Sequence, residues 1–329
     1  MANARRRSTI VNYQHKWKKF RQWCGQRGHT VSRPSSSKFA DFLLHLRRTC
    51  GLSVSAVKGY KSMLNSVFSL KGFDLAEDPV LKNLVKAFEV EVPRVRVRAP
   101  TWNLDVVLKA LTLPPFEPLV SSSFRELTKK TLFLLALATA KRVGELQALA
   151  HSFVWQGGDA ILSYLPEFVA KTETLLNPLP REFRLKSLSG ILGNGDEELL
   201  LCPVRALRIF RERTMDLRPR PRTLFVSLRD RSKPLSKNAL SYLLKETILH
   251  SHRELGEDHF PVMRVKAHDI RGVATSLNLW RNKSFSVILD AASWKTPSVF
   301  ANHYLRDVER VDGDTFSLGP IVAGGGVVT

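Results

Sequence analysis

The chain has 329 residues, enough for two unequal domains with well-buried cores. Its 51 Lys and Arg against 30 Asp and Glu leave a formal charge of +21, and the sequence pI near 10.2 favours a polyanionic partner, nucleic acid foremost. Three scattered cysteines, Cys24, Cys50 and Cys202, exclude a disulfide framework and a four-ligand zinc site. The longest apolar run, residues 131–138, falls far short of the roughly 20 needed to span a bilayer and reads as a buried helix.

The opening MANARRRS is a basic arm suited either to nuclear import or to touching phosphates. No apolar leader follows it, so a reducing cell interior is expected, nuclear in a eukaryote and otherwise cytoplasmic, not a secreted location. Residues 1–90 hold 17 basic and 5 acidic side chains, a local surplus of 12 that would supply affinity through counterion release.

Residues 1–91 are predicted to form a helical bundle. Ser8 offers a cap, and Ile10, Tyr13, Trp17, Phe20 and Cys24 recur at spacings of three and four. Ser35, Ser36 and Ser37 precede a second stripe of Phe39, Phe42, Leu43 and Leu46. Ser53 and Ser55 precede a third of Val57, Tyr60, Leu64 and Val67, with Gly51 and Gly72 as stops. A fourth follows Pro79. Lysines and arginines, Lys58 and Lys61 among them, fall on the remaining faces, where they meet phosphates or remain ordinary solvated charges.

Residues 92–103 read as a linker, because VPRVRVRAP lacks a helical period and is bounded by prolines. In an extended chain Arg94, Arg96 and Arg98 share one side and could follow a nucleic-acid backbone. Residues 104–312 are predicted to be mainly helical, over 106–111, 124–140, 142–150, from Pro203, after Ser236, 267–280 and 285–292. Alternation at 152–156, 160–165 and 168–172, with a Gly157-Gly158-Asp159 turn, predicts a small antiparallel sheet among them. The whole is thus mainly α with a small β-sheet. Residues 313–329 form a Gly-rich tail.

Cutting a phosphodiester without a metal requires cations for two non-bridging oxygens, a nucleophile, a base for its proton and an acid for the leaving oxygen. Arg142 in ALATAKRVGELQAL stands at a helix start, with Glu145 three residues on and able to orient its guanidinium. A surface ion pair is the plainer explanation of that pair. His268 and Arg271 in KAHDIRGVATSLNLW share a helix face and could reach one phosphate. Lys171 in YLPEFVAKTET lies on the third expected strand, where a solvated lysine is the default. Trp294 and Tyr304 lie in AASWKTPSVFANHYLRDV, where core packing competes with a chemical role. A phenol of ordinary pKa near 10 attacks well only beside cations or a base.

In the order of these motifs the chain resembles the tyrosine recombinase, or phage integrase, family over almost its whole length. ATAKRVGEL matches the family's first arginine motif, FVAKTET its strand lysine, HDIR its His-x-x-Arg box, and the span from Trp294 to Tyr304 its terminal box. SYLPEFVAKTET, LCPVRALR, AASWKTPSVFANHYLRDV and LGPIVA look most like recombinases of eukaryotic DIRS-like and Ngaro-like retroelements.

The resemblance implies a SAM-like core-binding bundle and a mixed α/β catalytic domain clamped around double-stranded DNA, four protomers forming a synapse. It implies that Arg142 and Arg271 clamp the scissile phosphate, Lys171 protonates the leaving 5′ hydroxyl, His268 manages the tyrosine proton, and Tyr304 forms a 3′-phosphotyrosyl link. Trp294 stands where many members have His, so hydrogen-bond donation replaces acid-base work there. No cofactor or metal, no membrane and no small-molecule substrate are expected. The end after Tyr304, with Asp307, Glu309, Asp312, Phe316 and Leu318, is expected to dock on a neighbouring protomer. Tyr242 and Tyr164 are the substitute nucleophiles. A type IB topoisomerase and a domesticated, non-catalytic DNA-binding protein are the competing readings.

Overall fold

Small polar residues set the helix starts of the first ninety positions, as a computed structural model of the chain makes explicit. It describes residues 7–92, 102–171, 173, 178, 180–189, 197–217, 219–255, 265–280, 284 and 286. The chain divides into two compact units, Met1–Arg96 and Val97–Thr329.

In the first unit α1 spans Arg7–Gln26, α2 Ser36–Leu44, α3 Val54–Phe68 and α4 Pro79–Glu91. Ser53 Oγ accepts from the Ala56 N–H at 3.2 Å and Asp78 Oδ1 from the Leu81 N–H at 2.9 Å, each satisfying an otherwise orphaned donor. Ser8 is no cap, because it already lies inside α1. A π-helical turn, His45–Thr49, extends α2, and the Ser36 hydroxyl donates to Asp78, tying the starts of α2 and α4 together. Phe20 is fully buried at the centre of this unit, its ring 5.0 Å from Phe42, 5.4 Å from Trp17 and 5.9 Å from Phe39. Several of its cations are structural. The buried Lys38 ammonium donates to the carbonyls of Thr30 and Arg33, and Lys16 lies over the Tyr60 ring.

In the second unit α5 spans Leu104–Leu111, α6 Phe124–Thr139, α7 Val143–Gln147, α8 Pro203–Glu212, α9 Lys237–Leu255 and α10 Asp269–Trp280. Helix α6 is buried nearly all round, as its TLFLLALA segment requires, and α8, α9 and α10 pack against it. Its buried hydroxyls stay satisfied by bonding back one turn, Thr128 to the Phe124 carbonyl and Thr139 to that of Leu135, both at 2.6 Å. Lys130, wholly buried in α6, donates to Glu117 and to the Leu111 carbonyl at 2.5 Å, while Arg205 grips the same carboxylate with two bonds. Burial pushes the Glu117 carboxyl up, but hydrogen bonds from Arg205 and Lys130 outweigh it and leave it below the usual range.

Strands β1, Val154–Gln156, β2, Asp159–Ser163, and β3, Glu182–Leu185, form an antiparallel sheet in the order β1-β2-β3. Gly157 (φ 58°) and Gly158 (φ 88°) supply the two left-handed residues of a tight hairpin turn. Leu162 faces Phe183 across the β2–β3 ladder, and Ala160, Leu162, Phe183 and Leu185 turn inward.

Around the sheet, two further expectations are corrected. Residues 168–171 are not a strand. Their hydrogen bonds go instead to Glu173, which accepts from the Ala170 N–H at 2.9 Å, and to Arg181, which donates to the Phe168 carbonyl at 2.6 Å. The third strand lies further on, at β3. The helix expected over 142–150 stops at Gln147, because Leu149 and Ala150 pair with Tyr164 and Thr223. Among the described residues no helix is long and apolar enough to cross a membrane.

Candidate active site

The site begins where α6 ends. Ala140, buried and left-handed at φ 49°, turns the chain out of α6, a conformation that costs a non-glycine residue about 1–2 kcal/mol. Lys141 and Arg142 follow, Arg142 extended at the head of α7.

Glu145, three residues into that turn, holds Arg142 twice. One carboxylate oxygen accepts the Arg142 backbone N–H at 2.9 Å and the other its Nη1 at 2.8 Å. The oxygen on the backbone lies 3.7 Å from Nη1 of Arg271, which α10 brings in from the far end of the sequence. The side chains of Glu145 and Arg271 are 3% and 2% exposed, that of Arg142 17%, so the cluster is shielded with one edge open. Two guanidinium groups and one carboxylate leave a surplus of positive charge, the arrangement that holds an anion.

Two residues that motif reading passed over or set aside line the same cluster. Lys141 is half-buried with its ammonium 4.9 Å over the Phe183 ring. Burial, with Arg271 and Arg142 adding to it against Glu145, brings its pKa from 10.5 down to about 8. Tyr164 is buried beside Phe168 and Phe183, and burial, then Glu145, pushes its phenol well up against the pull of both arginines. The signal for Lys141 in the sequence was no more than its adjacency to Arg142.

Of the other expected residues, Lys171 is exposed in the β2–β3 connection, directly after the buried Ala170. His268 is exposed in the turn before Asp269, where the helix begins, so it precedes α10 instead of lying on its face. The Asp269 carboxylate accepts from the Lys266 N–H at 2.9 Å and secures that turn. In the first unit Lys58 pairs with Glu89, and Lys61 Nζ lies 3.5 Å from the Ala76 carbonyl. Trp294, Tyr304, Arg94, Arg96 and Arg98, with the tail, lie outside the described residues.

No protein-family model and no curated protein matches the chain. Solved structures do. A lambda integrase tetramer bound to a Holliday junction aligns at 17% identity and TM-score 0.55, over 94% of this chain and 75% of its own. The XerH site-specific recombinase on palindromic difH substrate, a post-cleavage complex, aligns at 14% identity and TM-score 0.57, over 90% and 76%. The Tn1549 transposon integrase in complex with transposon right-end DNA aligns at 11% identity and TM-score 0.54, over 90% of each chain. The chain therefore has the tyrosine recombinase fold, and within it Arg142, at the head of α7, and Arg271, on α10, meet at Glu145.

Proposed function

We propose that the chain is a site-specific DNA recombinase of the tyrosine class, an integrase serving a mobile element. The observation that carries the reading is the meeting of Arg142 and Arg271 at Glu145 within this fold.

In this reading the two guanidinium groups hold the non-bridging oxygens of one phosphodiester and stabilise the charge that gathers there during attack. Tyr304 supplies the phenolate oxygen, His268 manages its proton, Lys171 protonates the leaving 5′ oxygen and Trp294 donates a hydrogen bond. The 3′-phosphotyrosyl product retains the energy of the broken bond, so attack by another 5′ hydroxyl rejoins the strand. Double-stranded DNA is the partner, met along its backbone by Arg94, Arg96, Arg98, Lys58 and Lys61. Lambda integrase forms a tetramer on a Holliday junction, and we assign this chain a tetramer on paired sites, residues 1–91 binding DNA and residues 104–312 carrying the chemistry. A nuclear location follows if the source is eukaryotic, a cytoplasmic one otherwise.

The test uses nicked duplexes with randomised cores, run on a denaturing gel after incubation with the full chain. A covalent protein–DNA adduct is expected from the parent and none from Tyr304→Phe. Equal adduct from both would move the nucleophile elsewhere, and none from either would leave a DNA-binding protein without the chemistry.

A further inference from the structure

Lys141 follows a left-handed residue and precedes Arg142, its ammonium seated 4.9 Å over the buried Phe183 ring and within electrostatic reach of Glu145 and Arg271. Packing alone does not call for an ammonium there. A leucine or methionine would cover Phe183 equally well without setting a third positive charge beside two guanidinium groups. We propose that Lys141 is a further phosphodiester-binding residue, a third cation that completes the site of Arg142 and Arg271.

Charge supports it. Among the described residues Lys141, Arg142 and Arg271 set positive charge against the carboxylate of Glu145. A bound phosphodiester brings one negative charge, and attack by a phenolate brings a second to the five-coordinate phosphorus. An added ammonium therefore meets more negative charge in the transition state than in the bound ground state, the condition under which a charged group raises turnover more than affinity.

The charged groups that act on Lys141 are Glu145 and Arg142 from its own segment and Arg271 from α10, while the titratable Tyr164, after β2, packs against the same Phe183 ring. Its lowered pKa of about 8 means that near that pH part of the free protein lacks this charge. As the phosphodiester enters, the amine takes a proton from solvent and the full charge is restored.

The proposal rests on the recombinase reading for its ligand, and two readouts separate them. In full-length protein carrying isotope-labelled lysine, the resonance lost in Lys141→Arg is expected to titrate near 8 in the free chain. With inorganic phosphate or a mixed-sequence duplex it should titrate about one pH unit higher. On nicked duplexes Lys141→Met is expected to lower the rate of adduct formation about tenfold or more, to change the half-saturating DNA concentration less, and, at DNA concentrations well below saturation, to lose the alkaline limb near pH 8. Lys141→Arg should keep much of the rate. A resonance indifferent to both anions, or an unchanged rate and pH profile in Lys141→Met, would overturn the assignment while a Tyr304-dependent adduct left the recombinase reading standing. If the parent formed no adduct, that reading would fall, and the resonance shift alone would decide whether Lys141 binds phosphate.

Discussion

Glu145 stands between two arginines of separate helices, bonded to Arg142 at 2.8 Å and 3.7 Å from Arg271. Its carboxylate sets a negative charge against Lys141, Arg142 and Arg271 together.

Glu145→Gln keeps the shape and removes that charge. Breaking a buried charge arrangement from one side typically costs about 3–5 kcal/mol, and a loss at the lower end of that range is expected in urea unfolding. Inorganic phosphate should restore more stability to the variant than to the parent, since it returns a negative charge to the cations. Equal phosphate responses would mean that the cluster does not hold the anion.

Lys141→Met is expected to stabilise the protein even as it slows the reaction. The folded pKa of about 8 lies below the ordinary 10.5, so between those values the unfolded chain binds more protons and stability rises with pH. Below pH 8 the protonated side chain exacts its full penalty, and its removal should add about 1–3 kcal/mol. Denaturant midpoints at pH 7.5 and 9.5 check this, the difference between variant and parent shrinking at the higher pH. A difference that grows toward pH 9.5 would contradict the sign.

Tyr164→Phe should leave the covalent adduct in place. The phenol is buried and its proton is held more firmly than usual, so it is a poor attacking group and its ring serves to pack against Phe168 and Phe183. Loss of the adduct in this variant but not in Tyr304→Phe would exchange their roles.

Phe20→Ala removes the ring at the centre of the first unit and is expected to cost about 3–5 kcal/mol. A surface pair makes the control: Lys58→Ala, which breaks a half-exposed pair with Glu89, should stay within about 1 kcal/mol. Urea titration of both variants gives the comparison.

Periodicity and caps made most helices legible, because an apolar stripe at a spacing of three and four has one economical partner, a buried face. Ser53, Pro79 and the Gly157-Gly158 turn carry instructions that act within a few residues, and Asp159–Ser163 shows its alternation directly. Segment 168–171 misled for the opposite reason. Its residues suit a strand, yet Glu173 and Arg181 take their hydrogen bonds, and propensity does not reveal that competition.

The helical character of both units, the hairpin and the kinds of side chain proposed for the site could be read from the residues in order. That Arg271 meets Glu145, that Lys130 is sunk against Glu117 and that half-buried Lys141 comes under the influence of both arginines emerged from the folded arrangement alone. The difference is one of distance along the chain. Local patterns register the energies of neighbouring residues, whereas a buried charge is set by what long-range packing brings beside it.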